Sequence, residues 1–141
     1  MNYLLDTNVL CEATRPSPDI RVASWLGARS ALTLFVSIVS VAEIRKGILL
    51  LPVGKKRAKL ESWLESKLLP AFANRVLPLG EAEMNEWASL QADVEKKGHR
   101  LPVVDSLIAA TAHCHGLTLA TRNIEDFRHC GISVFNPWTE K

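Results

Sequence analysis

Cysteine is scarce in this chain. Cys11, Cys114 and Cys130 are its three cysteines, so they cannot all pair internally. No C-x-x-C spacing occurs. A disulfide scaffold and a structural zinc site are therefore not expected, and the thiols read as reduced, in a cytoplasmic protein. No stretch approaches the roughly 18 uncharged apolar residues that a membrane span needs. The first ten residues include Asp6 and lack a basic n-region, which argues against a secretory signal. There is no internal repeat, low-complexity tract or Gly/Ser linker. Charge of one sign is not in large excess either: 17 Lys+Arg against 15 Asp+Glu give +2. The pI is about 8.5, short of the 9 or so usual for a domain that coats phosphates. Composition thus neither requires nor excludes nucleic acid.

What is present fits one domain. The 141 residues are 48% hydrophobic and 23% charged, which is enough apolar material for a single core and leaves little for a long disordered region. Short apolar runs alternate with helical periodicity. Tyr3–Leu5, Leu32–Val39, Val76–Leu79, Leu117–Ala120 and Ile132–Phe135 read as strands, with Pro78 marking an edge. Between them, helices are expected after Asp6, after Ser17-Pro18 (Ser17 as cap), from Ser40, over Leu60–Leu68, from Glu81 to Lys96 and from Val104 to Cys114, where Gly116 closes the last. Met84, Trp87 and Leu90 are the expected packing residues of the Glu81–Lys96 helix. This alternation predicts an α/β fold, a mainly parallel sheet with helices on both faces. Ligands of such sheets bind at the carboxyl ends of the strands.

Several acids fall where that rule points. Asp6 directly follows the first strand and reads either as a helix cap or as a ligand. Glu43 stands three residues after Ser40, in the spacing of a capping box. Asp105 sits near a helix start, where it suits the dipole. Its neighbours Val103, Val104, Leu107 and Ile108 suggest a buried helix, in which a charge needs a partner or a metal. Asn123 and Asp126 follow the strand that ends at Ala120. Each acid alone has a structural explanation. Together, at the ends of adjacent strands, they would repel one another unless a cation neutralised them. Oxygen ligands without Cys or His favour a hard ion such as Mg²⁺ or Mn²⁺.

Leu4-Leu-Asp6-Thr-Asn8-Val-Leu10, Ser40-Val-Ala-Glu43-Ile44, Asp105-Ser-Leu-Ile-Ala-Ala-Thr-Ala112 and Leu119-Ala-Thr-Arg-Asn123 resemble, in order and spacing, the successive motifs of PIN-domain ribonucleases. The similarity points to VapC toxins of type II toxin–antitoxin pairs, and within them to the FitB-like group. It extends over the whole chain and implies a single PIN domain, residues 1–141, with a PIN-like three-layer fold around a sheet of about five strands. It also implies Mg²⁺-dependent hydrolysis of RNA phosphodiesters, with Mn²⁺ as a second candidate ion. The metal ligands would be Asp6, Glu43 and Asp105, with Asn8 and Thr121 as supporting polar residues. The family's fourth acid falls on Asn123, eighteen residues after Asp105. This chain departs from the pattern there, and Asp126 is near enough to substitute. Arg122 is a candidate phosphate contact or, equally, half of a strand-end salt bridge.

The resemblance further implies an antitoxin that blocks the site, a homodimer, promoter DNA bound only through the antitoxin, and no membrane role. The apolar segment Ile48–Leu51 is a candidate partner surface. A non-catalytic subunit of an antitoxin–DNA complex is the alternative, motivated by Asn123. His113 and His115 are two apart on a helix and face different ways, a poor chelating pair. Trp25, Trp63 and Trp87 read as core residues, and Trp138 is left open.

Overall fold

The computed structural model describes residues 1–139. Five short strands form its centre: β1 (Tyr3–Leu5), β2 (Leu34–Ser37), β3 (Val76–Leu77), β4 (Thr118–Ala120) and β5 (Val134–Phe135). They pair in the order β3-β2-β1-β4-β5, and every pairing is parallel. Parallel neighbours need crossovers, and the helices supply them. Those helices are α1 (Thr7–Glu12), α2 (Ile20–Gly27), α3 (Ile38–Leu49), α4 (Lys55–Trp63), α5 (Leu69–Ala71), α6 (Glu81–Lys96) and α7 (Val103–Cys114). A π-helical turn, Leu64–Leu68, joins α4 to α5. Among the described residues no helix is long and apolar enough to cross a membrane.

The strand period of two divides the core into layers. Tyr3 and Leu5 of β1 join Leu34, Val36 and Ala120 on one face, against Val9, Val22, Trp25, Ile44 and Leu64 of the helices before β3. Leu4 and Leu119 point the other way, against Leu90 and Val94 of α6 and Ile108, Ala109 and Ala112 of α7. Alanine at 109 and 112, both fully buried, lets α7 lie close against the sheet. Gly116, at φ 64°, provides the left-handed residue that ends α7 and turns the chain into β4. Val76–Leu77 is the sheet edge that Pro78 predicted.

Several local expectations change. Asp19, not Ser17, caps α2, accepting the Arg21 N–H at 2.8 Å. The expected strand Leu32–Val39 shortens to Leu34–Ser37, because the Ser37 hydroxyl accepts the Val39 N–H at 3.0 Å and starts α3 three residues before Ser40. Ser40 is then an interior helical residue, and no capping box forms with Glu43. Half of that device occurs elsewhere: Glu83 accepts the Gly80 N–H at 2.8 Å at the start of α6, where glycine has no side chain to return the bond. Glu83 takes a buried position there, while Met84 is exposed. Val103 and Val104 are exposed as well, so the first turn of α7 is not the buried segment its sequence suggests.

Candidate functional site

The register of β1 against β4 builds the centre of the site. Leu5 pairs with Ala120, so the next residues, Asp6 and Thr121, emerge side by side at the carboxyl edge. The Asp6 N–H donates to the Ala120 carbonyl at 2.9 Å. Asp6 is 6% exposed, and its two oxygens have separate work. Oδ1 accepts the Thr7 N–H at 2.8 Å and so caps α1. Oδ2 accepts the Thr121 hydroxyl at 2.7 Å. The cap reading and the pocket reading of Asp6 are therefore compatible.

Asn8 braces the same corner. Its Nδ2 donates to Thr121 Oγ1 at 3.4 Å, and its Oδ1 accepts the Arg122 N–H at 3.3 Å. Thr121 Oγ1 also accepts the Asn123 N–H at 3.1 Å. On the other side, β2 is the neighbour of β1, and α3 leaves it with Glu43 one turn in. Glu43 Oε1 accepts the Thr7 hydroxyl at 2.6 Å. Because Thr7 opens α1 beside Asp6, this bond ties the second acid to the first.

Asp105 lies half-buried in the first turn of α7. Burial, then the charges of Asp6, Asp126 and Glu43, push its carboxyl up to about 6. Burial also raises Asp6. The Thr121 and Thr7 hydrogen bonds oppose that shift, and Glu43 and Asp126 add to it. Four carboxylates thus share one field, and like charges this close resist joint ionisation. The fourth is Asp126, on the 3₁₀ turn Ile124–Phe127. Its N–H donates to the Asn123 carbonyl at 3.1 Å, which closes the turn, and Asp126 itself is exposed. The Asn123 side chain is exposed.

This donor set is all oxygen and anionic, the chemistry that suits a hard divalent cation, but among the described residues no three of these carboxylates bring an oxygen within 4.8 Å of the other two. Two sulfurs lie near the acids: Cys130, which feels the charge of Asp105, and Cys11. Burial and the charges of Glu43 and Asp6 keep the Cys11 thiol above the ordinary range, so without a metal it stays protonated. Arg122 is exposed at the rim, with its guanidinium 5.2 Å from the Trp138 ring centroid. That stack takes the place of a strand-end salt bridge. Trp138 itself is buried, as is Trp25, which stacks on Phe135 at 5.1 Å. Trp63 and Trp87 are half-buried.

Residues 3–131 match the PIN domain family. The chain belongs to that family. It is 42% identical over 135 residues to the toxin FitB of Neisseria gonorrhoeae, covering 96% of this chain and 97% of that one. It is 39% identical over 135 residues to the VapC ribonuclease Y4jK of Sinorhizobium fredii, covering 96% of each. In the structure of FitAB bound to an IR36 DNA fragment, a chain 39% identical aligns with a TM-score of 0.93, over 99% of this chain and 97% of that one. The five-stranded parallel sheet and flanking helices are the PIN-like α/β fold.

Thr7 is the residue of this PIN domain's pocket that sequence reasoning missed. Its position between Asp6 and Asn8 was visible. Its bond to Glu43 spans 36 positions, and no local pattern encodes that. His113 Nδ1 lies 2.9 Å from Glu86, and His115 Nε2 lies 2.8 Å from Glu83, so both rings reach α6, one turn apart, and each takes its own acid there.

Proposed function

We propose that this PIN domain, residues 1–141 acting as one unit, is the toxin endoribonuclease of a type II toxin–antitoxin pair. Its reaction is hydrolysis of RNA phosphodiester bonds with Mg²⁺, for which Mn²⁺ can substitute. The observation that carries the reading is the carboxyl edge of the sheet, where Asp6 accepts the Thr121 hydroxyl at 2.7 Å and Glu43 accepts that of the adjacent Thr7 at 2.6 Å, with Asp105 and Asp126 near enough for their charges to act on the same site. Similarity to a toxin and to a VapC ribonuclease supports it.

Asp6, Asp105 and Glu43 would hold the ion, and Asp126 would take the fourth acidic position in place of Asn123. When bound, the ion supplies Lewis acidity at a phosphate oxygen and lowers the pKa of water. The chain's own residues do the positioning. Thr121 and Asn8 fix the Asp6 carboxylate, and Thr7 fixes Glu43, which orients the attacking water. The water oxygen forms a bond to phosphorus as the bond to the opposite oxygen breaks, leaving one phosphomonoester end and one hydroxyl end. Arg122, held against Trp138, meets a neighbouring phosphate. Asp126 within the pocket's field favours this over the non-catalytic reading that Asn123 suggested.

The antitoxin would cover the acidic pocket. Exposed Leu50 and Val104, which line one depression with Glu43, offer it an apolar border. The proposed working form is a cytoplasmic homodimer that reaches promoter DNA only through the antitoxin. The test is direct. The full chain, freed of antitoxin, should cut single-stranded RNA with Mg²⁺ or Mn²⁺, and EDTA or Asp6→Asn should stop it. RNA left intact by the wild-type chain with either ion refutes the proposal.

A further inference from the structure

A second group of donors lies at the opposite end of α7 from Asp105. Cys114 closes that helix and His115 is its C-cap. Both approach Glu83, in the first turn of α6. His115 Nε2 is 2.8 Å from Glu83 Oε2, and Cys114 Sγ is 3.9 Å from the same oxygen. One donor atom from each of the three residues falls within 4.8 Å of the other two. The Glu83 carboxylate is buried and held: Oε1 is occupied by the Gly80 N–H at 2.8 Å, which aims Oε2 at the other two.

An ion pair explains Glu83 and His115 but leaves Cys114 without a role. Imidazole, thiol and carboxylate together form a mixed N, S, O set. Such sets select Zn²⁺ or Co²⁺ in tetrahedral geometry, whereas the all-oxygen pocket selects Mg²⁺. The His115 side chain is 34% exposed, which gives an ion a path in and lets the imidazole swing to close the set. Along α7, Cys114 lies nine residues from Asp105, or about 14 Å at the helical rise. The two groups are separate.

We propose that Glu83, Cys114 and His115 form a Zn²⁺ site with its fourth position open to water, clamping the start of α6 to the end of α7. Burial and the charges of Glu83 and Glu86 hold the free Cys114 thiol above its ordinary range, so the ion must displace its proton to solvent for Cys114 to coordinate as thiolate. This site does not depend on the ribonuclease reading.

The test uses the full chain carrying Asp6→Asn, in excess Mg²⁺ so that hard-ion sites are saturated. One equivalent of Co²⁺ should give a thiolate-to-cobalt charge-transfer band and tetrahedral d–d bands, both displaced by Zn²⁺. The charge-transfer band should vanish in C114S and survive in the C11S/C130S chain. E83Q and H115Q should each weaken Co²⁺ binding by about tenfold or more. Stoichiometric Zn²⁺ should also protect Cys114 from alkylation in the chain with all its cysteines, a measurement that needs no cysteine variant to fold. Absence of a thiolate band, its survival in C114S, or undiminished alkylation of Cys114 each overturns the site. RNA cleavage plays no part in these readouts, so failure here leaves the proposed function standing.

Discussion

Replacing Asp105 by Asn should stabilise the metal-free protein at pH 8. The carboxyl rises from the ordinary 3.8 to about 6 in the folded chain. A shift of that size corresponds to about 3 kcal/mol between the two protonation states. Asp105 is half-buried, and solvent screening reduces the usable part to about 1–2 kcal/mol. For a chain of this length, that is a melting-temperature gain of roughly 3–7 °C. The pH dependence has a definite sign. The folded carboxyl binds its proton more tightly than the unfolded one, so the contribution of Asp105 to wild-type stability is fully present below about 4 and is lost as pH rises through about 6. The gain from Asp105→Asn should therefore be full at pH 8 and vanish near pH 4. Thermal unfolding in EDTA at a series of pH values measures it. Added Mg²⁺ should raise the wild-type melting temperature by mass action and raise that of the variant much less. A variant less stable than wild type at pH 8, with no narrowing of the difference on acidification, would falsify the shared-field account of the pocket.

Three further outcomes follow from single contacts. Asp126→Ala should weaken Mg²⁺ binding by about tenfold or more, while Asn123→Ala changes it by less than about twofold; calorimetric titration separates them, and the reverse pattern assigns the fourth position to Asn123. Thr7→Val removes the hydroxyl that Glu43 accepts, so RNA cleavage should fall by about 10- to 100-fold with melting little changed. An unaltered rate would make that bond incidental. Ser106→Ala strips the acceptor from the Trp87 Nε1–H, now bonded at 2.8 Å, and should cost about 1–2 kcal/mol in denaturant unfolding. Adding Trp87→Phe should then cost less than it does in wild type, since the orphaned donor is gone.

Much of this protein was legible in one dimension. Apolar triplets and helical periods gave the alternation of strands and helices, since each period exposes one stripe or face to a core. The parallel sheet followed from that alternation. Asp6, Glu43 and Asp105 were readable as candidates because each stands near a strand end or helix start, where α/β sheets collect ligands. Local errors arose where two caps competed a few residues apart. Ser37 and Ser40 are the same residue type, and only the packing of β2 decided which hydroxyl met a free amide. Likewise Asp19 displaced Ser17, and Glu83 rather than Met84 turned inward because its carboxylate had the Gly80 amide to accept.

The sequence by itself determined the layers, the edge at Pro78, the left-handed exit at Gly116 and the identity of the acids. Tertiary structure decided which acids meet. In the strand order β3-β2-β1-β4-β5, β1 lies between two strands that are distant in sequence, which sets Asp6 between Glu43 and Thr121. Only that placement gives the Asp6 carboxylate the Thr121 hydroxyl, links Glu43 to Thr7, and lets Asp126, not the residue at the family's fourth motif position, share charge with Asp105. The physical reason is range. Helical and strand periods act over a few residues, whereas the field of a carboxylate acts through space, between residues that the crossovers bring together.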